Sequence, residues 1–454
     1  MGRLVVVSNR IPGDGAPSGG LVVALHDTLS KRGGVWIGSS GETHDVPSTS
    51  LREVGSTPYR RLAYDLSHED HEEFYLGYSN SVLWPLFHYK PDLIDLHDGF
   101  FDRYAEVNRR VAKMVAGVLE PDDLLWIHDY HFLPLAQELR ALGVTNRIGF
   151  FLHIPFPNAQ NLPALPEARE VPHWLAACDL VGLQTKRDVA ACRESLRVSE
   201  QVEFLGESTI RCGGRTFTLA HFPIGIDAKG FAELARTAPA PTMAVAANTK
   251  IVLGVDRLDY SKGLVHRFQG FGAFLEHRQP GSMRATLLQI APPSRSDVEA
   301  YADLREQLDM ISGSINGAHA ELDWTPIRYI RRPVDRDALA AIYRRSAAAL
   351  VTPLADGMNL VAKEYVAAQD PEDPGVLILS HFAGAVEQLE EAIVVNPYDA
   401  TNMAEGIEQA LTMPLDERQR RHASLWRNVC EEDVEWWTRR FLDRLEQDAQ
   451  VEAA

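Results

Sequence analysis

The chain has 454 residues, 45% of them hydrophobic and 24% charged, with a formal net charge of −18. That length exceeds what one core organises, so two domains are expected, in an ordinary globular protein. The negative balance speaks against nucleic acid and anionic membrane as partners, since both reward a basic surface.

From the amino terminus, residues 3–8 read as a buried strand and not as a signal peptide. Ser18-Gly-Gly-Leu then starts a helix behind a glycine-containing loop. Residues 123–128 form a second apolar strand, with a helix over about 133–142. Residues 147–153 are largely apolar and run into Ile-Pro-Phe-Pro, which forbids helical continuation. Residues 179–184 repeat the strand pattern before a helix from Lys186, and Cys212-Gly-Gly-Arg215 marks a hairpin turn. The Ala-, Pro- and Thr-rich residues 235–248 are the expected exposed inter-domain segment. Strands resume at Lys250, 284–290, 327–330, 347–351, 376–379 and 392–395. Residues 416–450 read as a charged helical end anchored by Trp426, Trp436 and Trp437. The alternation predicts an α/β fold of two doubly wound parallel-sheet domains, 1–232 and 233–430, facing across a cleft. A terminal helix in 431–454 is expected to pack back toward the first domain. No apolar run approaches the roughly 20 residues of a membrane span. Cys178, Cys192, Cys212 and Cys430 lack CxxC spacing, so they read as reduced thiols in a cytoplasm, with no zinc site.

Gly254-Val-Asp-Arg-Leu-Asp-Tyr-Ser-Lys-Gly263 follows a buried strand and leads into a helix. Arg257 and Lys262 thus sit at the carboxyl edge of a sheet, where open α/β proteins bind ligands. A guanidinium and an ammonium beside a helix amino terminus make a place for a doubly charged phosphate group. The competing reading pairs Arg257 with Asp256 or Asp259 on the surface. A second stretch, Asp356-Gly-Met-Asn-Leu-Val-Ala-Lys-Glu364, repeats the strand-to-helix pattern. Gly357 permits close backbone approach, the N–H groups of Met358, Asn359, Leu360 and Val361 fall at a helix start, and Glu364 can reach a vicinal diol such as a ribose presents.

These two stretches, with Trp126-Ile-His-Asp-Tyr-His131, Phe151-Leu-His-Ile-Pro-Phe-Pro157, Val7-Ser-Asn-Arg10, Ser79-Asn-Ser-Val-Leu-Trp-Pro85, Phe222-Pro-Ile-Gly-Ile226 and Gln289-Ile-Ala-Pro-Pro-Ser-Arg295, closely resemble the trehalose-6-phosphate synthases. The resemblance spans nearly the whole chain. It implies two Rossmann-like domains of the GT-B type and a retaining transfer of glucose from a nucleoside diphosphate glucose to glucose 6-phosphate. It implies neither metal nor other cofactor. Arg257 and Lys262 would hold the donor diphosphate, backbone groups of Asp356 to Leu360 the transferred glucose, with the Asp356 side chain on its hydroxyls, and Glu364 the ribose. His153 would contact the donor sugar. Asp129, Tyr75, Trp84, Arg10 and Arg295 would form the acceptor pocket, the two arginines on its phosphate. Gly19 and Gly20 would lie on a loop closing over the donor. Front-face transfer, in which the leaving phosphate takes the acceptor proton, belongs to the same implication. A homo-oligomer is expected.

Plainer readings stand beside these. Tyr75 and Trp84 can be core aromatics, and His128 with His131 lacks a third metal ligand, which favours strand-end histidines satisfied by backbone. Arg10 directly follows a buried strand, where an unpaired guanidinium is costly. The family's usual Gly-Trp-Ser-Gly is replaced by Gly38-Ser-Ser-Gly41, so Ser39 stands where an aromatic is typical. Two alternatives share the donor motifs: a glucosylglycerol-phosphate synthase using glycerol 3-phosphate, and a non-catalytic sugar-nucleotide sensor.

Overall fold

The computed structural model describes residues 2–13, 20–239, 248–277, 283–293 and 299–452. It divides into two units, Met1–Ile224 with Val434–Ala454, and Gly225–Asp433.

The first unit is built on ten strands: β1 (Leu4–Arg10), β2 (Val35–His44), β3 (Arg52–Gly55), β4 (Arg60–Ser67), β5 (Leu124–His128), β6 (Arg147–Phe151), β7 (Leu180–Leu183), β8 (Val202–Phe204), β9 (Thr209–Cys212) and β10 (Arg215–His221). They are ordered β3-β4-β2-β1-β5-β6-β7-β10-β9-β8. The pairs from β4 to β10 are parallel, and the edges β3, β9 and β8 are antiparallel. Leu4, Val5, Val6 and Val7 are all buried. This continuous apolar run is the mark of a strand covered on both faces. Gly213 (φ 56°) and Gly214 (φ 79°) turn β9 into β10, the two positive-φ residues that a tight hairpin of matching twist requires.

The helix Val434–Glu452 covers β6 and β7 of this unit. Its Phe441 ring lies where a Cβ on Gly149 or on Gly182 would stand 2.7 Å away, so two glycines in adjacent strands make its seat. Phe441 also stacks on Trp126 at 4.7 Å. Trp437 is fully buried, whereas Trp426 and Trp436 are only partly covered.

The second unit holds β11 (Thr249–Val255), β12 (Arg284–Ile290), β13 (Ile327–Ile330), β14 (Ala348–Val351), β15 (Val376–Ser380) and β16 (Ile393–Val395). Every pairing is parallel, in the order β13-β12-β11-β14-β15-β16. This is the 3-2-1-4-5-6 order of dinucleotide-binding sheets, and it reverses between β11 and β14.

The boundaries differ from those expected at 232 and 430. The helix Ala228–Thr237 packs on the helices Arg336–Arg345 and Leu360–Ala368, with Phe231 6.0 Å from Tyr343. Its apolar face therefore commits it to the second unit, and the units part at Ile224. Residues 235–239, the described start of the expected inter-domain segment, belong to the second unit, and 240–247 lie outside the described residues. The single helical end is two helices, Leu415–Glu431 and Val434–Glu452, interrupted where Glu432 leaves helical geometry (φ −110°, ψ 52°).

Candidate active site

In the second unit the order reversal places the loops after β11 and β14 side by side. Asp259 opens the first of them by accepting from the Ser261 N–H at 2.9 Å. The loop closes at Gly263, whose φ of 65° and whose Cβ position, 2.3 Å from the Thr352 carbonyl oxygen, exclude any side chain. The second loop is tied to the first by the Leu354 N–H, which donates to the Ser261 carbonyl at 2.7 Å.

Lys262 and Asp356 meet across these loops, Nζ to Oδ2 at 2.6 Å, with 11% and 13% of their side chains exposed. Asn359 Nδ2 donates to the same oxygen at 3.0 Å. The Asp356 backbone is engaged, N–H to Phe382 and carbonyl from Gly384. Its N–H is therefore committed within the protein, which leaves the carboxylate and the second lone pair of the carbonyl oxygen as the groups Asp356 can offer. Gly357 and Met358 are buried in the loop, and the Met358 carbonyl accepts from Ala385 at 2.8 Å. The helix Leu360–Ala368 starts after Asn359, held at φ 74° without a side-chain cap. Leu360 and Val361 therefore carry first-turn N–H groups that the helix itself cannot satisfy.

Arg257 is exposed at the edge of this loop. The two acids once candidates for it have other partners: Asp256 pairs with Arg267 at 2.7 Å, and Asp259 also accepts from the Tyr301 hydroxyl at 3.3 Å. Glu364 accepts from the Tyr343 hydroxyl at 3.3 Å. Burial pushes its carboxyl up to about 7, with Arg336 and that hydroxyl pulling the other way.

In the first unit the sheet reverses between β1 and β5, and Arg10 and Asp129 stand at those two strand ends. Arg10 is exposed, so the strand end does not bury its guanidinium. It lies along Gly41 (φ 88°), donating to that carbonyl at 3.2 Å, where a Cβ would stand 2.1 Å from its Nη2. Ser39 is buried and accepts from the Gly41 N–H at 3.1 Å, so this serine shapes the turn that seats Arg10. Asp129 has φ 75° and ψ 168°, a conformation nearly reserved for glycine. Its Oδ1 accepts from the His153 N–H at 3.1 Å.

His153 contacts His128 through Nε2 (3.0 Å) and Gln184 through Nδ1 (3.3 Å). Gln184 Oε1 accepts from the Ile224 N–H, so its amide nitrogen faces the imidazole and fixes the tautomer. Burial pushes His153 down to about 3, which keeps it neutral. Both ring nitrogens thus have protein partners.

Tyr75 lies on a π-helix, His71–Leu83, that periodicity did not reveal. Asn80 and Ser81 sustain it, bonding the carbonyls five residues back at 2.7 and 2.9 Å. The Tyr75 ring stacks on His131 at 5.9 Å. Trp84 is 4% exposed and packs on His88 and Tyr130. It is a core aromatic here and offers a ligand little surface. Gly20 begins the helix Gly20–Arg32, while Gly19 and Arg295 lie outside the described residues. Among the described residues, Glu42, His44 and Asp65 are the one group close enough to share a metal, and Asp65 already accepts from Ser40 at 2.6 Å.

A cavity of about 620 Å³ in the second unit is lined by Lys250, Ala347 and Gly375. These residues lie at the amino ends of the strands, away from the switch point. Its Lys250 and Arg344 cap carbonyls at helix carboxyl ends.

A parallel sheet with paired loops at its switch point, a lysine and a carboxylate joined there, and an uncapped helix start define an α/β enzyme for a phosphate-bearing ligand. The family profile of glycosyltransferase family 20 matches residues 14–447. The trehalose-6-phosphate synthase of Klebsiella pneumoniae is 45% identical over 98% of this chain and 95% of its own. A UDP-forming α,α-trehalose-phosphate synthase from Burkholderia xenovorans, solved with glucose-6-phosphate, superposes with TM-score 0.91 at 45% identity, covering 98% of this chain and 100% of that one. The E. coli protein bound with UDP-2-fluoro glucose gives 0.93 at 44% identity, covering 98% and 99%. The chain belongs to glycosyltransferase family 20.

Proposed function

We propose that this chain is a retaining glucosyltransferase that moves glucose from UDP-glucose to glucose 6-phosphate, giving α,α-trehalose 6-phosphate and UDP. The observation that carries this is the pairing of Lys262 with Asp356 at the second unit's switch point, beside Arg257 and the uncapped Leu360 helix. Breaking the bond from glucose to diphosphate builds negative charge on the leaving oxygen. Arg257, Lys262 and the first-turn N–H groups are positive groups that stabilise it in the transition state. When a diphosphate arrives, the Lys262 ammonium turns to it and Asp356 is left to accept from sugar hydroxyls. Glu364, one helical turn on, accepts from the ribose diol.

The first unit supplies the acceptor groups. Arg10 pairs with the acceptor phosphate, Asp129 takes hydroxyls, and Tyr75 packs beside the sugar. His153 is a neutral positioning group, and with its N–H given to Asp129 a sugar contact from it falls to its backbone carbonyl. The leaving phosphate receives the acceptor proton, so no protein nucleophile is needed; a hydrolase would instead flank one bond with two carboxylates. Cytoplasmic residence is supported by four free cysteines, three of them buried. A homo-oligomer belongs to the same reading, and light scattering measures it.

Turnover with UDP-, GDP- and ADP-glucose, each crossed with glucose 6-phosphate and glycerol 3-phosphate, tests the assignment. UDP-glucose with glucose 6-phosphate should lead, the hexose phosphate by at least roughly tenfold in kcat/KM, which one or two lost hydroxyl hydrogen bonds supply. Equal or reversed acceptor preference excludes the assignment.

A further inference from the structure

The stretch Gly254–Gly263 is bounded by two glycines, and the donor reading uses neither. Gly254 makes room for the Arg267 side chain and its partner Gln289, and Gly263 lets the loop approach the Thr352 backbone. Arg267 sits in the first turn of the helix Leu264–Glu276 and is 0% exposed. Its Nε donates to Thr352 Oγ1 at 3.0 Å, just past β14. Its Nη1 donates to Gln289 Oε1 of β12 at 2.9 Å and pairs with Asp256 Oδ2 at 2.7 Å, just past β11. Its Nη2 points to the Lys262 carbonyl at 3.4 Å. A Cβ on Gly254 would stand 2.2 Å from Gln289 Oε1 and 2.8 Å from Arg267 Nη1. A Cβ on Gly263 would meet the Thr352 carbonyl oxygen at 2.3 Å.

One planar guanidinium therefore joins β12 to the two loops whose side chains Lys262 and Asp356 meet. Lysine cannot reproduce this, since a single ammonium lacks the fork that reaches partners on three strands. From this geometry we infer that Arg267 is a positioning residue for the donor: it sets the spacing between the loops that carry Lys262 and Asp356, and with it the geometry offered to the diphosphate. The inference rests on the donor reading of these loops.

A residue that only stabilises the fold lowers the melting temperature and leaves substrate constants of the folded enzyme alone. A positioning residue changes donor constants selectively. Thr352→Val removes one acceptor of the fork at nearly constant volume, and Thr352→Ser restores it. Arg267→Lys keeps the charge opposite Asp256. Steady-state kinetics are run with UDP-glucose and glucose 6-phosphate well below each variant's melting temperature, with Lys262→Ala as control. Thr352→Val should raise the KM for UDP-glucose or lower kcat by about fivefold or more. The KM for glucose 6-phosphate should stay within about twofold, Thr352→Ser should recover the wild-type values, and Arg267→Lys, where it folds, should exceed Thr352→Val. Donor constants unchanged in Thr352→Val while Lys262→Ala is impaired overturn the inference alone. Donor constants unchanged in Lys262→Ala as well overturn the donor reading with it.

Discussion

Lys262 Nζ and Asp356 Oδ2 stand 2.6 Å apart, although 94 residues separate them in the chain. The pair is mostly covered, so each charge depends on the other and on Asn359 in the absence of ligand. Under the proposed function, a diphosphate entering here would exchange one anion for another at the ammonium.

Lys262→Ala should lower kcat/KM for the donor by at least roughly tenfold, the worth of one charge-assisted hydrogen bond. Because charge grows on the leaving phosphate, most of that loss should appear in kcat. Arg257→Ala should behave alike. Steady-state kinetics with varied UDP-glucose measure both, and unchanged constants would remove the clamp from the mechanism.

Glu364 titrates at about 7, raised chiefly by burial. Below that pH it is protonated and loses its charge and one of the two accepting oxygens that a ribose diol would use, so the donor KM should rise as pH falls through 7, by up to tenfold per unit. In the ligand-free protein the sign is opposite. A folded pKa above the unfolded value of about 4.3 favours the fold at low pH, and that contribution is lost as pH rises through 7. Burial pushes the adjacent Lys363 down to about 7 as well, so the control is Glu364→Gln. It should raise the donor KM, leave kcat nearly unchanged and flatten the KM profile. A profile as steep in the variant as in the wild type would assign the titration elsewhere.

Asp129 holds φ 75° and ψ 168°, strain of order 1–3 kcal/mol for a residue with a Cβ. Its replacement by glycine relieves that strain, at the expense of the hydrogen bond from the His153 N–H. Thermal melts should therefore place Asp129→Gly clearly above Asp129→Ala, although both lose activity with glucose 6-phosphate. Equal melting temperatures for the two variants contradict the strain argument.

Gly149 meets the Phe441 ring where a Cβ would stand 2.7 Å away. Gly149→Ala should destabilise by about 1–3 kcal/mol through overpacking. Phe441→Leu should recover part of that loss in the double variant, since the two positions share one space. Denaturant unfolding of the four proteins measures the coupling; strict additivity would show that the contact does not govern how the terminal helix is seated.

The alternation of apolar runs with helix-patterned segments marked all six strands of the second unit within a residue or two; β14 and β15, buried along their whole length, have no polar face to blur the pattern. The local chemistry of Arg257, Lys262 and Asp356 was legible for a related reason: strand-to-helix turns at a sheet edge announce themselves through glycine and short-range spacing. What periodicity cannot carry is partnership across the chain. Asp256, beside Arg257 in sequence, pairs with Arg267, and Asp259 turns to Ser261 and Tyr301. Arg10 lies on Gly41, and the π-helix beneath Tyr75 depends on side chains bonding carbonyls five residues back. The boundary at Ile224 follows from which helices bury Phe231. Sequence by itself determined the strands of the second unit and the strand-to-helix turns that carry Arg257, Lys262 and Asp356, because those follow from local pattern. Only the tertiary structure decided which charge faces which and which glycine makes room for which side chain, because packing distances are set between residues far apart in the chain.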